Sequence, residues 1–155
     1  MKKLIVITSP RFFQGEDTVL SHLFDEGMQR LHLRKPDSEA NELRKLLDRI
    51  PAIYYPKIVL HDCFGLAVEY GLGGVHLNRR NNQIPDGFTG TISRSCHSIG
   101  ELEQFGELDY LFLSPIFQSI SKEGYSSAYS CDTLQKAQQA GIIDSKVMAL
   151  GGITL

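Results

Sequence analysis

The chain has 155 residues, 42% of them hydrophobic and 22% charged, with a formal net charge of -2 at pH 7; this is the composition of one soluble globular domain with a single sizeable core. So small a net charge creates no general field for nucleic acid or an acidic membrane, and any anion must be recognised by locally placed cations. The three cysteines, Cys63, Cys96 and Cys131, are widely separated and form no CxxC pair, which argues against a disulfide framework or a zinc site and for a reducing, cytoplasmic setting.

Residues 4–8 are a nearly continuous apolar run closed by Ser9 and Pro10, the pattern of a strand covered on both faces. The run is too short for the core of a signal peptide, and no other run is long enough to cross a bilayer. Residues 17–26 place Val19, Leu20, Leu23 and Phe24 at helical spacing, with Gly27 where a left-handed cap belongs. Residues 29–37, QRLHLRKPD, alternate polar and apolar side chains and then stop on Pro36 and Asp37. A strand that ends on Arg34 and Lys35 beside a helix-opening turn has the look of one wall of a phosphate site, the alternative being an edge strand whose charges merely face water. The next helix spans 39–50, with Leu43, Leu46, Leu47 and Ile50 as its apolar stripe, and Pro51 ends it.

The strand and helix unit then recurs. Residues 57–62 form a strand ending on His61 and Asp62, 64–70 a helix closed by Gly71, and 74–77 a fourth strand containing His76. A fifth strand at 91–95 leads to a helix at 98–105, and a sixth lies at 110–114. A helix at 131–140 precedes a seventh strand at 147–150, which runs into Gly151 and Gly152. This succession predicts a parallel α/β sheet, and the lack of a reversal point favours a (β/α)8 TIM barrel over a flavodoxin-like open sheet. The expectation is a single barrel domain over 1–155 whose eighth strand and last helices are missing. Such a barrel would need roughly 50 more residues, or a partner supplying a strand, to be stable.

In such a barrel the carboxyl ends of the strands form the active face. That rule gathers Thr8, His32, Arg34, His61, Asp62, His76, Asn78, Ser95, His97, Ser114, Ser119 and the Gly151-Gly152 pair. His76 and His97 suit structural roles, and free cysteines beside such residues are more often small buried hydrophobes.

The order and spacing of VITS, LHLRKPD, VLHD, GGVHL, SRSCHS, LFLSPIFQSISK and ALGGI resemble the thiamine phosphate synthase family and its TenI-like relatives, which include thiazole tautomerases. The resemblance implies a cytoplasmic enzyme that couples hydroxymethylpyrimidine pyrophosphate to a thiazole phosphate and releases pyrophosphate. Its partners would be those small phosphorylated substrates, not nucleic acid or membrane, with a homo-oligomer open. The family's Gln-x-Arg-x-Lys pattern falls on His32, Arg34 and Pro36, so the arginine is kept, the glutamine has become histidine and the lysine is lost. Lys35 would point to the other side of the strand.

The family pair Asn-Asp falls on His61 and Asp62, which makes Asp62 the implied Mg2+ ligand and His61 a substrate contact. The second metal carboxylate falls near Arg80, which cannot ligate Mg2+ but could neutralise diphosphate. Ser95 matches a serine that reaches pyrophosphate, as do Ser119, Ser121 and Lys122; Gly151 and Gly152 match the loop that receives the thiazole phosphate. Arg34, Lys122 and Ser95 are therefore the implied catalytic set, and His32, His61, Ser119, Ser121, Gly151 and Gly152 the substrate contacts. Strand two is TenI-like, whereas Ser114-Pro115 after strand six is synthase-like and lacks the tautomerase histidine. Two alternatives stand beside the synthase: a proton-transfer enzyme with His32 or His61 as base, and a thiazole phosphate-binding protein without synthase activity.

Overall fold

The structure is a computed structural model and describes residues 4–117 and 129–152. It divides into two compact units, Met1–Thr91 and Ile92–Leu155. In the first, β1 (Ile5–Ile7), α1 (Glu16–Asp25), β2 (Arg30–Leu33), α2 (Ala40–Leu47), a 3-10 helix (Ala52–Lys57), β3 (Ile58–Leu60), α3 (Gly65–Glu69) and β4 (Gly74–Leu77) follow one another. The four strands are parallel and paired in chain order. Each expected strand and helix is present, within one to three residues at its ends. The 3-10 helix is an addition: Pro51 stops α2 as its sequence suggests, but the chain then coils tightly through Pro56 before entering β3.

Side-chain alternation divides this sheet into two chemically different faces. Leu31, Leu33, Ile58, Leu60 and Val75 are wholly buried and take one parity. Leu20 and Phe24 of α1 and Leu43, Leu46 and Leu47 of α2 are buried as well, each a helical stripe that needs an apolar partner. The other parity carries Arg30 and His32 on β2, Val59 on β3 and Gly74 on β4, with Ile7, His32, Val59 and Gly74 in one lateral row. That row contains no large side chain at Gly74, where a Cβ would stand 2.6 Å from the Thr91 hydroxyl oxygen. Arg30 uses the room and donates from its guanidinium to the same hydroxyl at 2.6 Å.

The second unit pairs β5 (Thr91–Cys96), β6 (Tyr110–Leu113) and β7 (Val147–Ala149) in parallel, again in chain order. Helices α4 (Ile99–Gln104) and α5 (Cys131–Gln139) start at Ser98 and Ser130, whose hydroxyls accept the backbone N–H groups of Glu101 and Thr133. Cys96, Leu102, Leu111, Leu113 and Ile116 form its core, with Ile99, Leu134 and Val147 packed against them. Cys96 is therefore a buried hydrophobe, as its apolar surroundings suggest. Both units are parallel α/β structures with strands in chain order, the coarse architecture expected from the sequence.

Candidate functional site

The carboxyl ends of β1 to β4 are tied together by polar side chains. Thr8, just past β1, accepts the Arg34 backbone N–H at 3.0 Å and donates its hydroxyl to the Arg34 carbonyl at 3.2 Å. The neighbouring Lys35 is fully buried. Its ammonium donates to Glu16 Oε1 at 2.6 Å and to the carbonyls of Ser9 and Arg11 at 2.9 Å each, and it lies 4.7 Å from the centre of the Phe12 ring. Lys35 thus turns to the opposite side from Arg34, as its parity requires, and serves to anchor the segment between β1 and α1. The Arg34 guanidinium has no ion-pair partner among the described residues, which leaves it available at the strand end.

Three histidines occupy the inward parity behind Arg34. The register continues past β2 through the bond from His61 N–H to the Leu33 carbonyl, which brings Arg34, His61 and His76 abreast. His32 Nδ1 and His61 Nε2 share a hydrogen bond of 2.8 Å, and the His61 and His76 rings stack with centroids 4.2 Å apart. All three are buried; His32 and His76 are wholly inaccessible. Burial first, and then repulsion from His76 and Arg30, pushes the His32 pKa down to about 2. His61 is held well below the usual histidine value by burial, then by His76, His32, Arg34 and Arg80. The His32 and His61 rings are neutral at physiological pH, and a base this weak takes a proton poorly.

Beyond β3, Asp62 is buried and its Oδ1 accepts two bonds, from the Arg80 guanidinium at 3.0 Å and the Asn81 side-chain amide at 2.9 Å. Its Oδ2 is buried without a hydrogen-bond partner among the described residues. The loop after β4 is built to present these donors. Asn78 Oδ1 accepts the backbone N–H groups of Arg80 and Asn81, while the side-chain amides of Asn78 and Asn81 both donate to the His61 carbonyl. Arg80 is half-exposed and lines a cleft of about 540 Å³ with Cys63, Phe64, Asn81, Ile84 and Asp86. Cys63 takes a positive φ of 53°, where the backbone turns sharply from β3 into α3.

The second unit presents its own strand ends. Ser95 is half-buried on β5, in register with Phe112. His97, just beyond β5, is exposed; its Nδ1 lies 2.9 Å from the Ser114 carbonyl and 3.3 Å from the Ser114 hydroxyl. Its backbone N–H donates to Glu101 at 2.7 Å, so it opens α4 as expected. After β7, Gly151 and Gly152 have φ of 96° and 64°, conformations that other residues adopt only with strain. A Cβ on Gly151 would stand 3.1 Å from Pro115 Cα, and the Phe117 N–H donates to the Gly151 carbonyl at 3.0 Å. Neither glycine N–H has a partner among the described residues. Successive backbone N–H groups in such turns are the elements from which anion-binding concavities are built.

Of the residues singled out from the sequence, His32, His61, Arg34 and Asp62 thus meet at one strand-end edge, and Ser95, Gly151 and Gly152 stand at strand ends of the second unit. Ser119, Ser121 and Lys122 lie outside the described residues. Glu16 and Asn81 were not legible beforehand. Glu16 reads as an ordinary first-turn acid of α1, and nothing in its spacing announces a buried pair with Lys35.

These are the features of a parallel α/β protein with polar and cationic side chains at the carboxyl ends of its strands. The family model described as thiamine monophosphate synthase (TMP-TENI) matches residues 4–155, and the chain belongs to that family. A thiamine-phosphate synthase of Listeria welshimeri is 29% identical over 124 residues, covering 75% of this chain and 59% of that protein. One from Geobacillus kaustophilus is 31% identical over 131 residues, covering 79% and 57%. The chain thus spans less than three fifths of the length of these curated relatives. Among solved structures, a thiamine phosphate pyrophosphorylase from Bacteroides thetaiotaomicron is 46% identical, with a TM-score of 0.87 over 99% of this chain and 74% of that one. A thiamine phosphate pyrophosphorylase from Pyrococcus furiosus, 19% identical with a TM-score of 0.75 over 98% and 76%, shares the fold.

Proposed function

We propose that this protein is a thiamine-phosphate synthase: it joins hydroxymethylpyrimidine pyrophosphate to a thiazole phosphate, forming a carbon–nitrogen bond as the carbon–oxygen bond to pyrophosphate breaks. The observation that carries this reading is the 46% identity to the Bacteroides thetaiotaomicron pyrophosphorylase across 99% of the chain. The open Gly151 and Gly152 N–H groups supply a receptor for the thiazole phosphate, and Arg34, Ser95, Ser119, Ser121 and Lys122 are the groups we assign to the departing diphosphate. His32 and His61 are assigned to the wall behind the pyrimidine. The enclosing architecture is a single (β/α)8 barrel domain, working in the cytoplasm on these two small substrates. A tautomerase acting through His32 or His61 is disfavoured, because burial leaves both rings too weakly basic for efficient proton abstraction. The test is pyrophosphate release by the full-length protein given both substrates; no release at any Mg2+ concentration would leave phosphate-ligand binding as the function.

The family implies Mg2+, but the described residues do not fit the pair of carboxylates such a site uses. Asp62 Oδ1 already accepts from a guanidinium 3.0 Å away, and Arg80 stands near the position where the second carboxylate is expected; Asp86 lines the same cleft but lies six residues further on. Mg2+ requires hard oxygen ligands in near-octahedral geometry, and a neighbouring arginine repels it. No step is therefore assigned to a metal here; neutralising the leaving diphosphate falls to Arg34, Lys122 and the free donors of Arg80. Turnover of the native protein is expected to be low and to change little across ordinary Mg2+ concentrations. Arg80→Asp, which frees Asp62 and adds a second carboxylate, is expected to make turnover rise with Mg2+. Identical Mg2+ profiles for native and variant would place the Asp62–Arg80 pair outside the reaction.

Arg34→Ala and Lys122→Ala are each expected to weaken pyrophosphate binding by about 1.5–3 kcal/mol, the range for charge-assisted hydrogen bonds, and to make it less salt-sensitive. Calorimetry on the full-length protein measures both. Unchanged affinity in both variants would return these cations to a solvated surface.

A further inference from the structure

The histidine cluster behind Arg34 is denser than packing alone calls for. Three of the chain's five histidines stand on successive parallel strands with their rings converging, and one ligand atom from each lies within 4.8 Å of the others. The His32 ring meets His61 and His76 nearly edge-on, at 78° and 73°, with centroids 5.1 and 5.2 Å away. We infer that His32, His61 and His76 form a three-histidine binding site for a divalent d-block cation of the Zn2+ or Co2+ class, clipping β2, β3 and β4 together beneath the strand-end edge.

The chemistry of the donors selects the ion. Imidazole nitrogen suits Zn2+, Co2+, Ni2+ and Cu2+, whereas Mg2+ and Ca2+ demand oxygen. A tetrahedral ion with bonds of about 2.0–2.1 Å holds neighbouring nitrogens about 3.3–3.4 Å apart. The His32 Nδ1 to His61 Nε2 distance of 2.8 Å must then open by roughly half an ångström, and the widest separation must close by about 1.5 Å. Rotations of the three rings supply movements of that size. In the ion-free protein one of the two nitrogens at 2.8 Å carries the shared proton and the other accepts it. To offer two lone pairs, the donor ring moves its proton to its other nitrogen, so binding needs a change of tautomer and no net loss of a proton.

Nearby charge limits the affinity without closing the site. Arg30, Arg34 and Arg80 act electrostatically on these rings. Arg30 donates to the neutral Thr91 hydroxyl, which does not cancel its charge, whereas the Arg80 charge is offset by Asp62, so Arg30 and Arg34 are the principal opposing charges. His61, the one ring with some exposure, marks the side from which an ion enters, and it leaves a position for water as fourth ligand. The other two histidines, His22 and His97, are exposed and are not members of the cluster.

The test uses the full-length protein, stripped with chelator and titrated with Co2+, whose visible absorption distinguishes low-coordinate nitrogen sites from hydrated ion. One Co2+ per chain is expected, with an intense visible band that Zn2+ displaces. His76→Asn should lower the affinity at least about tenfold, since even removing an outer-shell partner of a metal ligand costs about 10–100-fold. The double variant His22→Asn, His97→Asn should bind as the native protein does. Should His76→Asn fail to fold, the native protein still decides: Zn2+ should shift the side-chain NMR signals of three histidines and leave those of His22 and His97 in place. A spectrum of hydrated Co2+ only, a thiolate band from cysteine, or shifts confined to His22 and His97 would overturn the site. Each readout is independent of turnover, so failure of the synthase reading leaves this inference standing, and the reverse.

Discussion

Replacing Lys35 by methionine is expected to destabilise the fold by about 3–5 kcal/mol, the cost of breaking one side of a buried ion pair. The Glu16 and Lys35 side chains are 2% and 0% exposed, so the variant would leave a buried carboxylate without its ion-pair partner. Two backbone carbonyls, of Ser9 and Arg11, would also lose their donor. Urea unfolding measures the loss. The double variant Glu16→Gln, Lys35→Met should lose less than the single one, because the uncompensated charge is gone and only the two carbonyl bonds remain to be made up. Equal losses in single and double variants would show that Lys35 matters through the carbonyls. Because the anchored segment follows Thr8, which holds both backbone groups of Arg34, the single variant should also loosen the strand-end arginine.

Acidification is expected to have an effect of similar size. His32, at about 2, and His61, well below its ordinary value, stay neutral in the folded protein, whereas in the unfolded chain both take up a proton near pH 6.5. The unfolded state therefore binds more protons on the acid side. The stability these groups contribute is complete above about pH 6.5 and is lost progressively as pH falls below it. Well below that pH the loss approaches about 1.4 kcal/mol per pH unit for each ring, or about 2.7 for the two together. Urea midpoints of chelator-treated protein between pH 6 and pH 5 test this, before most carboxylates titrate. His32→Asn should remove roughly half of the slope. A slope unchanged by the substitution would mean that the ring is protonated in the fold.

Much of this architecture was legible in the residues because β-branched runs, helical stripes and terminal glycines agree with one another. Residues 74–77 read as a strand and are one; Gly27 and Gly71 read as left-handed caps and have φ of 98° and 63°. Parity also placed Lys35 opposite Arg34. What could not be read was lateral distance. His32, His61 and His76 each stand out as a polar residue at a strand end, but the step that sets Arg34, His61 and His76 abreast is fixed by inter-strand hydrogen bonds between residues far apart in the chain. The same holds for Arg80. Its sequence position marked it as a departure from the family's carboxylate, yet its pairing with Asp62 depends on how Asn78 and Asn81 fold the loop back over the His61 carbonyl. The positions of Ser119, Ser121 and Lys122 fall outside the described residues.

The dipeptide after β7 is not a free-standing module. Leu150 and Gly151 accept the N–H groups of Ile116 and Phe117, and a Cβ on Gly151 would press tightly on Pro115. The glycine pair and the turn after β6 are therefore two halves of one joint, with their shapes cast against each other. A chimaera that imports the β6 turn from a relative would have to import the glycines with it, and a library varying either stretch alone would return mostly misfitted joints. The loop after β4 carries no such constraint: its asparagine scaffold holds the backbone and leaves the Arg80 side chain free to change.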